Sequence, residues 1–316
     1  MSVIAWIGLG HMGLPMSARL VAAGHEVRGV DLDPVAAEAA AAGGVRMVGG
    51  IAEAMTGAEV CVTSLPQPQH VRTVYGGEGG IFETAAAGTL LLDTSTVDIE
   101  TSRWCHREAG SRGLRFVDAP ISGGTAGAEA GSLTFMLGGS ARDVTDVAAL
   151  VAPMAGKVVP CGPEGMGIAA KLVNNMMLFI NVMAMAEGSQ LAEHLGLDAP
   201  TFWEVASSSS GSSWAVRTWY PVPGVVDTAA ANRGFAASFS VDLARKDCDL
   251  AVAAGNSAGV HLPAARLALS QLEALSDEGL GGMDCTLVTR FASPDGTVRG
   301  FSPPEPRQEP TKEVTS

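Results

Sequence analysis

An amine and two amides stand at helical spacing in the run Lys171-Leu172-Val173-Asn174-Asn175. Steps of three and four residues put both amides on the side of the amine in a helix, so three polar groups are expected to converge on one point. Lysine is scarce, four in 316 residues, and the flanking residues read as a buried helix. A lysine taken alone more often snorkels out of a helix end. An amine retained in apolar surroundings instead suits proton transfer, because burial disfavours ammonium and brings the pKa toward neutrality.

A second constellation lies at the amino terminus. Val3 to Ile7 is an apolar run leading into Gly8-Leu9-Gly10-His11-Met12-Gly13, with helical spacing at Leu14, Leu20 and Val21 afterwards. Strand, glycine turn and helix in that order bind a pyrophosphate. Gly8 permits the tight turn, Gly10 lets backbone approach the anion, and Gly13 packs helix against strand. The run Glu26 to Val30 then ends in Asp31, 18 residues after Gly13, close to the roughly 20 expected of a carboxylate that holds the adenosine ribose. A carboxylate there repels a 2′-phosphate, and no basic pair stands after it to receive one, so NAD is favoured over NADP. Asp33 before Pro34 reads as a helix cap.

The third constellation is Asp118-Ala119-Pro120-Ile121-Ser122-Gly123-Gly124, after a strand-like run. The Ser122 hydroxyl and the backbone N–H groups of Gly123 and Gly124 can bind a small carboxylate without arginine. An ordinary glycine-rich loop accounts for these residues equally well.

Elements that position these groups can be read from periodicity. Strand-like runs recur at Val60 to Ser64, Thr89 to Asp93, Leu114 to Val117, Leu133 to Leu137 and Lys157 to Pro160, separated by helical segments. That alternation is a doubly wound α/β pattern. From Gly167 to His194 the pattern becomes one long helix, and the sequence beyond His194 is mostly helical. The expected architecture is a Rossmann-type sheet domain over 1–164 and a helical domain over 165–296, joined by that helix, with a disordered, proline-rich tail over 297–316. Met176 to Ala186 is apolar nearly all round, so most of its faces should be buried, and it could serve a subunit interface. Its length is short for a membrane span. Ser207 to Ser213 has linker composition, yet Trp214, Trp219 and Tyr220 come at once after it, which suits a loop against an active site better than a tether.

Net charge of −13 argues against nucleic acid or an anionic membrane as partner. Five scattered cysteines suit a reducing compartment, and neither they nor the histidines have metal-ligand spacing. No basic n-region precedes the first strand, so a cytoplasmic location is expected.

Together the motifs GLGHMGLPM at 8–16, DAPISGG at 118–124, GMGIAAKLVNN at 165–175, WYPVPGV at 219–225 and the Lys246-Asp247 pair resemble the β-hydroxyacid dehydrogenases, most closely the 3-hydroxyisobutyrate branch. The resemblance spans residues 3 to about 290. It implies NAD-dependent oxidation of 3-hydroxyisobutyrate to its semialdehyde, a step of valine breakdown, by a homodimer or homotetramer. It also implies that Lys171 is the catalytic lysine, that Asn175 orients substrate, and that Ser122, Gly123 and Gly124 bind the substrate carboxylate. Leu65, Pro66, His70, Thr96 and Lys246 resemble further cofactor contacts, although many relatives carry asparagine where His70 stands. An asparagine those relatives have between tyrosine and proline is missing between Tyr220 and Pro221. Asn174-Asn175 departs from the His-Asn of 6-phosphogluconate dehydrogenases and so disfavours a sugar phosphate. Reductases of tartronate or succinic semialdehyde remain alternatives. Imine reductases, which usually lack the lysine, and a non-catalytic dinucleotide sensor fit less well.

Overall fold

The structure, a computed structural model, describes residues 1–303. Nine strands build one sheet: β1 (Val3–Ile7), β2 (Glu26–Val30), β3 (Arg46–Met47), β4 (Val60–Thr63), β5 (Leu90–Asp93), β6 (Arg115–Asp118), β7 (Ile121–Ser122), β8 (Leu133–Gly138) and β9 (Ala155–Gly162). Their order is β3-β2-β1-β4-β5-β6-β8-β7, with β9 on β8. Strands β1 to β6 pair in parallel, and β8 runs antiparallel to β6 and β7. The helices are α1 (Gly13–Ala22), α2 (Pro34–Ala42), α3 (Ile51–Met55), α4 (Pro68–Gly76), α5 (Ile81–Thr84), α6 (Ile99–Ser111), α7 (Gly124–Ala130), α8 (Ala141–Val151), α9 (Met166–His194), α10 (Ala199–Ser208), α11 (Trp214–Thr218), α12 (Val241–Ser257) and α13 (Pro263–Leu275).

Every residue of β4 and β5 is buried, as expected of parallel strands covered on both faces. Alternate side chains supply two cores. Ile4, Trp6, Val62, Leu92 and Val117 pack with Met16 and Leu20 of α1 and Val144 and Val147 of α8. Ala5, Ile7, Cys61, Leu91 and Phe116 pack with Val71 and Tyr75 of α4, Cys105 of α6, Ile168 and Leu172 of α9, and Ala251 of α12. The doubly wound expectation is met, and strand ends agree with the sequence reading to within a residue or two.

The chain divides into two compact units, one of Met1–Met177 with Arg245–Leu269, the other of Leu178–Ala244 with the residues from Ser270. In space the first unit therefore runs past the expected division at 164/165. Ile168 and Leu172 join the sheet's core, which keeps the start of α9 with the sheet. Among the described residues α9 is one helix long and apolar enough to cross a membrane by length and composition. Its buried Lys171 and Asn175 and its part in the core mark it as a core helix. It is not buried on all sides, since Val173 and Met177 are each 55% exposed.

In the second unit Phe179 stacks on Phe239 at 5.7 Å, and Trp219 meets Trp214 edge-on at 4.8 Å. The serine run is not a tether. Ser207 and Ser208 close α10, and the Ser213 hydroxyl caps α11 by accepting from Val216 N. Composition hid this because a serine cap and a serine linker look alike without their partners. Disorder from Thr297 onward does not hold for the first residues: Val298 is buried and Phe301 packs edge-on against Phe235 at 6.1 Å. The rest of that tail, 304–316, lies outside the described residues.

Candidate active site

The glycine turn has the shape its residues imply. Gly8 takes φ +94°, and a Cβ there would lie 2.3 Å from Ser64 O. At Gly13 a Cβ would lie 2.1 Å from Gly8 O, whereas around Gly10 nothing stands within 4 Å. The open side at Gly10 is where backbone can meet an anion. Asp31 lies at the end of β2, beside the turn, accepting from Leu9 N at 2.5 Å and from Asp33 N at 2.8 Å. Its carboxylate is thereby fixed while remaining half-buried, with lone pairs left for a diol. Asp33 caps α2 through Val35 N, as read from the sequence. His11 is exposed and Met12 half-buried on the same turn, and His70 is exposed on the first turn of α4.

Lys171 is 8% exposed and Asn175, one turn on, 1%. Burial pulls the amine down from 10.5 to about 8; Asp247 pushes it back up and the neighbouring charge of Lys246 pushes it further down. Asn175 Nδ2 donates to Asp247 Oδ2 at 2.7 Å, which fixes the amide and ties α9 to α12 one turn from the lysine. Asn174 does not join the convergence: it is exposed, and its Nδ2 donates to Asn175 Oδ1 at 3.1 Å. A step of three residues on a helix leaves about 60° between side chains, enough here to turn one amide to solvent while the other is buried.

Lys246 Nζ donates to Pro66 O at 3.1 Å and Thr96 O at 2.9 Å, and lies 3.0 Å from Asp247 Oδ1. One ammonium thus ties the loops after β4 and β5 to α12, and through Asp247 and Asn175 to α9. This network unites Asn175, Asp247, Lys246, Pro66 and Thr96, and the charges of Asp247 and Lys246 act on Lys171. His70 and the Ser122 turn stand outside it.

Ser122 ends β7, paired with Thr134. Gly123 and Gly124 come next at φ +137° and +65°, values that L side chains rarely adopt, so the turn keeps its backbone uncovered. What the turn shares with Lys171 is Asp118. This buried carboxylate accepts from Gly165 N and Ile168 N, each at 2.9 Å, and from His106 Nε2 at 2.7 Å. It caps the start of α9 and holds it to the end of β6, four positions before Ser122.

Asp93 is the other carboxylate whose role the sequence did not disclose. It sits between Thr63 and Asp118 in register across the sheet. Burial raises it to about 6, against hydrogen bonds from Ser95 and Thr63 that lower it. Ser95 Oγ donates to Asp93 Oδ1 at 2.6 Å and so is free to accept from Leu65 N at 2.8 Å. The network holds the backbone of the Leu65-Pro66 loop. Its only sequence signal is the clustering of hydroxyl residues after a strand, which occurs in many loops.

Residues 3–162 match the family model described as the NAD binding domain of 6-phosphogluconate dehydrogenase. Residues 165–292 match the one described as NAD-binding of NADP-dependent 3-hydroxyisobutyrate dehydrogenase. A Mycobacterium tuberculosis protein named probable 3-hydroxyisobutyrate dehydrogenase is 44% identical over 263 residues, covering 83% of this chain and 88% of its own. The NAD-dependent L-serine dehydrogenase of Pseudomonas aeruginosa is 37% identical over 294 residues, 93% of this chain and 99% of its own. The solved structure of Mycobacterium tuberculosis 3-hydroxyisobutyrate dehydrogenase with L-serine has a TM-score of 0.86 and 40% identity, covering 92% of this chain and 99% of that one.

Proposed function

The chain belongs to the β-hydroxyacid dehydrogenase family, and from that premise we propose that it oxidises 3-hydroxyisobutyrate to the semialdehyde with NAD, in valine breakdown. The observation that carries this reading is the buried Lys171 amine, brought to about 8 and framed by Asn175. A base near the working pH is what proton abstraction from an alcohol needs. As free amine, Lys171 Nζ takes the hydroxyl proton; in the reverse direction its ammonium returns it to the oxygen.

The residues present fit a nicotinamide dinucleotide. Open space at Gly10 and the tethered Asp31 carboxylate suit its pyrophosphate and ribose, and Leu65, Pro66, Thr96 and Lys246 line the loops beyond. Bound there, it supplies the hydride acceptor. Asp31 disfavours a 2′-phosphate, hence NAD over NADP. Ser122 and the N–H groups of Gly123 and Gly124 hold the substrate carboxylate, and Asn175 orients the substrate beside Lys171. Orientation of this kind counts strongly, because the reacting carbon must meet both amine and ring at once. We further read the protein as a cytoplasmic homodimer or homotetramer, in keeping with the exposed Leu191 and Leu195 on α9 and just beyond it.

L-serine is a second substrate reading, favoured by the Pseudomonas aeruginosa relative and by the serine in the Mycobacterium tuberculosis structure. The two acids share carboxylate and 3-hydroxyl and differ by methyl against ammonium on C2. Rates with 3-hydroxyisobutyrate, its methyl ester and L-serine, each with NAD and NADP, decide between them. We expect the highest kcat/KM with 3-hydroxyisobutyrate and NAD, and a loss of at least about tenfold with the ester, the order expected when a charged partner is lost. Higher kcat/KM with L-serine would move the reading to the second substrate. An ester as good as the acid would overturn the carboxylate site, and preference for NADP the role of Asp31.

A further inference from the structure

Two features of Lys246 stand apart from a plain cofactor contact. Its ammonium is fixed by backbone carbonyls of two loops, Pro66 O at 3.1 Å and Thr96 O at 2.9 Å, rather than left on a mobile side chain. It also faces Asp247, whose other oxygen takes the Asn175 amide at 2.7 Å. Asp247 is therefore shared between a fixed cation and an amide one helical turn from Lys171.

We propose that Lys246 is a positioning residue for Lys171: the braced ammonium occupies Asp247 and keeps a fixed positive charge near the reacting amine, so that the amine gives up its proton readily. This rests on reading Lys171 as the general base. Among the described residues the charges that act on Lys171 are Asp247 and Lys246, both on α12. Asp118, on β6, is engaged by His106 and the start of α9. Asp93, on β5, is held by Thr63 and Ser95, and Arg72, on α4, by Thr101. Without Lys246 both changes act in one direction. Repulsion of ammonium at Lys171 disappears, and Asp247, which favours that ammonium, loses the Lys246 charge paired with it, so the proton is held more tightly.

The scarcity of lysine makes this measurable without catalysis. Protein carrying 13Cε-lysine gives one resonance for each of its four lysines, and the one lost in Lys171→Arg identifies Lys171. Titrating that resonance without added dinucleotide reads its pKa. The expected result is a midpoint near 8 in the unaltered protein. In Lys246→Met we expect it about one unit or more higher, and in Lys246→Arg near its original place; Lys246→Gln serves if the methionine variant does not fold. A midpoint unmoved in the neutral variants, with only dinucleotide affinity reduced, would overturn the proposal and leave Lys246 a cofactor contact. Failure of the underlying reading looks different: Lys171 titrates and responds as described, yet Lys171→Ala retains turnover.

Discussion

At the scale of the residue, Lys171 costs the fold stability. Its proton is bound less tightly in the folded protein, at about 8, than in the unfolded chain, at 10.5. Below the lower value the amine is charged in both states and the cost stands in full, about 3 kcal/mol for such a shift. Between the two values the unfolded chain binds the extra proton, so stability rises with pH; above the upper one the cost has gone. Lys171→Met should therefore make the protein more stable at pH 7, by roughly 2 kcal/mol once imperfect packing is allowed for. Urea unfolding at pH 7 and pH 10 checks the sign: the gain should shrink at the higher pH. A variant less stable at pH 7 would mean that the amine is better solvated or paired than its burial implies. Sites that sacrifice stability in this way are the ones built for chemistry.

At the scale of the element, the placement of α9 depends on Asp118. Its carboxylate satisfies two N–H groups at the helix start and pairs with His106. Asp118→Ala strips the cap and leaves His106 without its partner, which should destabilise by about 3 kcal/mol, while Asp118→Asn, able to keep one acceptor, should lose less. Midpoints of urea unfolding test both, and equal losses would indicate that packing rather than the cap holds the helix. None of this was legible in the sequence, because the partners of Asp118 lie 12, 47 and 50 residues away. The glycine turn was legible, since strand, glycines, helix and Asp31 are local and their spacing is set by backbone geometry. Lys171 was legible as an anomaly of composition. Asn174 was misjudged by helical spacing alone, which gives a side but not a depth. Composition did not show that the serine run ends one helix and caps the next, although its aromatic neighbours already argued against a tether.

At the scale of the whole molecule, a chain of net charge −13 would have to bind the proposed anionic substrate by local means. On the proposed function no long-range field draws the acid in, so binding is assigned to the neutral donors at Ser122, Gly123 and Gly124, and chemistry to one amine at the start of the long helix. Dinucleotide binding is assigned in the same proposal to the glycine turn, Asp31 and the loops after β4 and β5, and proton transfer to a side chain of its own. Separate residues for binding and for proton transfer are the central claim. Lys171→Ala tests it most directly, by measuring NADH affinity and kcat for the acid on one preparation. The expected result is affinity within a few-fold of the unaltered protein and turnover lower by two or more orders of magnitude, about the scale of general acid–base catalysis. Turnover near normal would remove Lys171 from the reaction, and NADH affinity lost along with turnover would show that the amine serves cofactor binding rather than proton transfer.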